Sequence, residues 1–166
     1  MSNVPPESRS YRVIRITDLK RLADIAKKDR ERFFRNHPRW AEAYASRVLC
    51  TALCQGAARH FLDTTIGIND FDVYTFYKAH PRKHWYAKRI KAYDFGHPRF
   101  GKSEDSPHFV GRRVDCLARA IEGDENDPIA AVRNYLAQGR TLTARLLAAS
   151  AVVLLDPYCG RVVWPS

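Results

Sequence analysis

Cysteine is scarce in this chain: four residues (Cys50, Cys54, Cys116, Cys159) among 166. That is too few to staple a chain of this size and excludes a disulfide scaffold. No His or Cys pair beside them has zinc-finger spacing. Cys50 and Cys54 would share a face of a helix, and small buried hydrophobes are their expected role. Long apolar runs are lacking too. The most apolar stretch, 146–155, is about half a bilayer crossing and is interrupted by Ser150. The opening MSNVPPESRSYRVIR has no hydrophobic centre of the kind a signal peptide needs. The expectation is a soluble, cytoplasmic protein with no membrane partner.

Acidic side chains fall short as well, 18 against 28 Lys and Arg, for a formal net charge of +10. This balance favours an anionic partner such as a nucleic acid or nucleotide, the bland alternative being a basic surface that serves solubility. Apolar residues make up an ordinary 45% of the chain, which excludes wholesale disorder. The length predicts one domain over 1–166 that buries roughly 70% of its unfolded surface. Residues 1–10, polar and Pro-containing, are expected to be flexible.

Along the chain, Thr17 or Asp18 can cap a helix to about Phe34, with Leu19, Leu22, Ile25, Ala26 and Phe33 on one stripe. Pro38 suits the first turn of a second helix through WAEAYASRVLCTALC, or else 48–54 forms a short buried strand; periodicity leaves both open. The β-branched and aromatic run at 68–77 predicts a strand, 83–91 a short helix, and 112–118 a second strand. Pro128 starts a helix to about Gln138, and Thr141 or Thr143 caps another. AVVLLDPYCGRVVW predicts a hairpin. His-Pro-Arg recurs at His37, His80 and His97 with unequal spacing, which three ordinary turns explain. The fold class expected is α/β (α+β): a small mixed sheet flanked by helices.

The chemistry-bearing motif is Asp70-Phe71-Asp72. On a strand, residues i and i+2 point to one side, so both carboxylates project together while Phe71 and Val73 face the opposite layer. Like charges beside apolar neighbours are costly unless a cation joins them, and Mg²⁺ (or Mn²⁺) is the natural candidate. Asp115, between Val114 and Cys116, repeats the theme and would complete a two-metal site. The alternative for a lone DxD is a solvated edge or a cap.

Leu53-Cys54-Gln55-Gly56-Ala57, then Asp70-Phe71-Asp72 after a twelve-residue gap at 58–69, then Asp115, resemble the nucleotidyltransferase superfamily that includes polymerase beta and the minimal nucleotidyltransferases. The resemblance covers about residues 48–118. It implies transfer of a nucleoside monophosphate from an NTP to a nucleic-acid or protein acceptor, with Asp70, Asp72 and Asp115 as catalytic metal ligands. It also implies that Gln55, Gly56 and Ala57 approach the triphosphate ahead of a helix whose N–H groups face phosphate oxygens. Ala57 departs from the family's Gly or Ser, and Arg59 and His60 follow as substitute positive charge. A degenerate member that binds nucleotide without transferring it also fits this departure.

Between 78 and 102 stand eight Lys or Arg (Lys78, Arg82, Lys83, Lys88, Arg89, Lys91, Arg99, Lys102) against Asp94. They are interleaved with Trp85, Tyr86, Tyr93, Phe95 and Phe100. Charge plus flat rings suits phosphate tracking with base stacking, so the alternative function is a noncatalytic nucleic-acid-binding module. The bland reading makes the rings core and the charges a solvated face. Ser150 and Cys159 have no base partner in the sequence pattern for nucleophilic catalysis.

Overall fold

Of the apolar stripe of the first helix, Leu19, Leu22, Ala26 and Phe33 are buried and Ile25 is half-buried in the computed structural model, which describes residues 8–85 and 90–166. That helix, α1, spans Ile16–Asn36. It starts before the expected cap: Asp18 reaches back to accept a hydrogen bond from the Arg15 N–H at 2.7 Å and closes the first turn. Helix α2 is short, Pro38–Tyr44, with Pro38 in its first turn. The ambiguous run that follows is a strand, β1 (Val48–Cys54), because partners on both sides satisfy its backbone.

Helix α3 (Gln55–Asp63) follows β1 at once and ends where Thr64 takes a left-handed conformation. Strand β2 (Phe71–Lys78) starts later than expected, since Ile68 pairs with Ser10 instead. Strands β3 (Lys91–Asp94) and β4 (Arg113–Ile121) flank a loop holding a 3₁₀ turn at Pro98–Phe100. Helices α4 (Pro128–Gln138) and α5 (Leu142–Ala148) are capped by Asp127 and Thr141. The predicted hairpin is β5 (Val152–Asp156) with β6 (Val162–Trp164).

The six strands form one mixed sheet in the order β3-β4-β2-β1-β5-β6. Strands β2 and β4 are parallel and every other pair is antiparallel. On one face Leu53, Phe71, Val73, Val114 and Val153 pack against α1 and α3. On the other, Ala52, Cys54, Tyr74, Phe76, Val152 and Leu154 pack against α4 and α5. The chain is therefore α+β, a mixed sheet flanked by helices, as the sequence pattern predicts. Among the described residues no helix is long and apolar enough to cross a membrane.

Of the segment expected to be flexible, residues 1–7 lie outside the described residues, and 8–10 are held. Ser10 and Ile68 exchange two backbone hydrogen bonds, and Arg112 donates to the Ser8 carbonyl at 3.0 Å. The expected helix at 83–91 falls partly on 86–89, also outside the described residues; the flanking residues 84, 85 and 90 are irregular and Lys91 opens β3.

Candidate active site

Parallel pairing of β2 with β4 puts Asp72 directly beside Asp115. Paired residues of neighbouring strands project to one side, so the two carboxylates share the α4–α5 face of the sheet. On its other flank Asp72 is paired with Cys54, the last residue of β1, after which α3 begins. Strand register thus puts Asp72 between Asp115 and the strand that leads into that helix. Asp70 lies just ahead of β2. A cleft of about 320 Å³ is lined by Arg9, Gln55, Gly56, Ala57, Ile66, Gly67, Asn69, Asp70 and Asp72.

The helix end facing this cleft is unusual. No side chain caps α3, and Gln55 holds a left-handed φ of 59°, a conformation that costs a non-glycine residue about 1–3 kcal/mol. Ser150 steadies it by donating a hydrogen bond to the Gln55 carbonyl at 3.1 Å. Gly56 is exposed, and a Cβ placed there would meet no atom within 4 Å. Packing within the described chain does not call for glycine here, and the backbone stands open on the cleft.

The carboxylates differ in their surroundings. Burial first, then the charges of Asp115 and Asp70, push the Asp72 carboxyl up from 3.8 to about 7. No side chain or backbone group among the described residues hydrogen-bonds it. Burial also raises Asp70, opposed by a hydrogen bond from Ser103 Oγ at 2.7 Å. Asp115 Oδ1 accepts from Arg113 Nε at 2.8 Å. Among the described residues no group of three His, Cys, Asp or Glu side chains is gathered closely enough to hold a metal ion. The donor chemistry of the Asp72–Asp115 pair suits a hard divalent cation: both side chains offer carboxylate oxygens, and positive charge beside Asp72 would relieve its crowding by like charges.

Other predicted site residues stand elsewhere. Arg59 is half-buried near Asp63 and does not line the cleft. His60 does not line the cleft: it is fully buried, its Nδ1 accepting from the Gly67 N–H and its Nε2–H donating to the Arg12 carbonyl, each at 3.0 Å. Both ring nitrogens are engaged as a neutral tautomer would engage them. Burial pushes the Cys50 thiol up to about 12 and Cys54 well above its ordinary value, in keeping with inert core cysteines.

Among the described residues, three rings of the basic segment are buried and closed to base stacking. Trp85 is packed among Phe33, Tyr44 and Tyr77, and Phe95 and Phe100 lie against Phe71 in the core. Tyr93 is half-buried and donates its hydroxyl to Asp29 at 2.6 Å. Composition signals aromatics beside charge; it does not say which way the rings face. Lys78 ends β2, about 20 Å from Asp72 at strand rise, and lies 3.7 Å from Glu125. Arg82 is exposed, and Lys83 lies over the Trp40 ring. Lys91 is exposed and pairs with Cys116, on the opposite side of the sheet from Asp115. Tyr86, Lys88 and Arg89 lie outside the described residues.

Four residues around the carboxylates carry no motif of their own: Arg9 and Asn69 in the cleft wall, Ser103 on Asp70, and Arg113 on Asp115. Strand alternation alone reveals Arg113, two residues before Asp115. Comparison with family models, curated proteins and solved structures found no match to the chain.

Proposed function

We propose that the protein is a nucleotidyltransferase of the cytoplasm, moving a nucleoside monophosphate from an NTP to a hydroxyl of a nucleic-acid or protein acceptor. The observation that carries this reading is the register pairing of Asp72 with Asp115 beside the uncapped start of α3. Mg²⁺ (or Mn²⁺), met by the paired Asp72 and Asp115 and by phosphate oxygens of the NTP, would supply the positive charge that neutralises the triphosphate and the leaving group. The N–H groups of Gly56 and Ala57 donate to phosphate oxygens, reached because Gly56 carries no side chain. Arg9, in the same wall, adds a positive charge. The acceptor oxygen bonds to the α-phosphorus in line with the breaking bond to the β-phosphate bridge. Its proton passes to Asp115, and pyrophosphate leaves.

Transfer from an NTP labelled at the α-phosphate, together with pyrophosphate release, tests the proposal. Asp70→Ala combined with Asp72→Ala should abolish both signals, and undiminished activity in that variant rejects the assignment. A second reading, nucleotide binding without transfer, draws on the Arg113 contact that already occupies Asp115. It predicts NTP affinity with no pyrophosphate.

A further inference from the structure

Two neighbouring arginines of the described chain are held in different ways. Arg112 is buried and donates to the main-chain carbonyls of Phe100, Ser8 and Asn69. Arg113, projecting to the other side of the sheet, donates to carboxylates instead: Nε to Asp115 Oδ1 at 2.8 Å and Nη1 to Asp105 Oδ2 at 3.0 Å. Among the described residues its guanidinium meets no carbonyl. Its positive charge also favours the ionised forms of Asp70 and Asp72, so one cation answers four acidic groups.

The contact is poised for exchange. The Arg113 and Asp115 side chains are 27% and 14% exposed, and Asp105 is 57% exposed. An arginine fixed by carbonyls has no competitor for its place, whereas one fixed by carboxylates competes with any cation those carboxylates bind.

We propose that Arg113 is a built-in counter-ion of the site, displaced from Asp115 when a divalent cation binds and thereby freed to meet the incoming triphosphate. The inference rests on the nucleotidyl-transfer reading, in which Asp115 is a metal ligand. Guanidinium groups pair with phosphate as readily as with carboxylate. Ion and triphosphate therefore assist one another: the ion releases the guanidinium and the triphosphate gives it a new partner. Such coupling is reciprocal.

The test is Mn²⁺ binding to the full chain, read from the electron paramagnetic resonance of the free ion, with and without a non-hydrolysable NTP analogue. Arg113→Gln should bind Mn²⁺ at least about tenfold more tightly than wild type without nucleotide. It should also lose most of the gain in Mn²⁺ affinity that the analogue confers on wild type. Equal or weaker Mn²⁺ binding by Arg113→Gln overturns the counter-ion role and leaves the transfer reading standing. No Mn²⁺ binding by either protein, even with the analogue, overturns that reading and the inference with it. Should Arg113→Gln fail to fold, wild type labelled with ¹⁵N-arginine decides. The Arg113 Nε–H resonance should shift on saturation with Mg²⁺, and an unmoved resonance while the ion binds refutes displacement.

Discussion

Replacing Asp72 with Asn should stabilise the protein, by an amount set by pH. The Asp72 carboxyl, ordinarily near 3.8, is raised to about 7 by burial and then by Asp115 and Asp70. Between those limits the folded chain keeps a proton that the unfolded chain has released. The stability this group contributes is complete below about pH 4 and is lost as pH rises through about 7. At about 1.4 kcal/mol for each tenfold change in proton affinity, the ionised carboxylate costs the fold about 4 kcal/mol. Asp72→Asn removes that cost at pH 8, which corresponds to a Tm higher by about 10 °C for a chain of this length. At pH 4 both proteins carry a neutral group and should melt together. Thermal melts of the pair in chelator at pH 4, 6 and 8, followed by circular dichroism, give the difference directly, because other titrating groups largely cancel between the variants. Equal melting at pH 8, or a gain that persists undiminished on acidification, refutes the argument from burial and crowding.

Gly56→Ala should fold as well as wild type or gain about 0.5–1 kcal/mol, since the position is helical and open. It should nonetheless weaken NTP binding; unchanged affinity in a nucleotide titration would remove the start of α3 from the phosphate site. Trp85→Ala should lose about 3–5 kcal/mol in urea denaturation, as expected of a core ring. A stable Trp85→Ala that had lost oligonucleotide affinity would restore the stacking role.

The sequence makes the elements with strong punctuation legible. Pro128 and Thr141 open helices where a fixed φ or a capping hydroxyl is expected, and the apolar runs around 156–160 form their hairpin. The run at 48–54 does not announce its state, because a continuous apolar segment suits a buried strand and a buried helix equally. Its pairing with β2 and β5 decides it. Strand β3 is shorter still, four residues without alternation, and it exists through its pairing with β4. In the candidate site, alternation correctly joins Asp70 with Asp72. The same rule, applied to β4, turns Arg113 to the side of Asp115 and Arg112 away from it, as the structure has them. Ser103 is illegible locally, since it reaches Asp70 from a loop 33 residues away.

The Arg112 guanidinium clasps carbonyls from three stretches of chain: the segment before α1, the turn ahead of β2, and the 3₁₀ turn after β3. A carbonyl is common to all twenty amino acids, so this clasp is indifferent to the side chains it gathers. This contact itself would survive a change of side chain at position 8, 69 or 100. Part of the cleft's wall, at Asn69, thereby hangs on one long, buried side chain that stands outside the cleft.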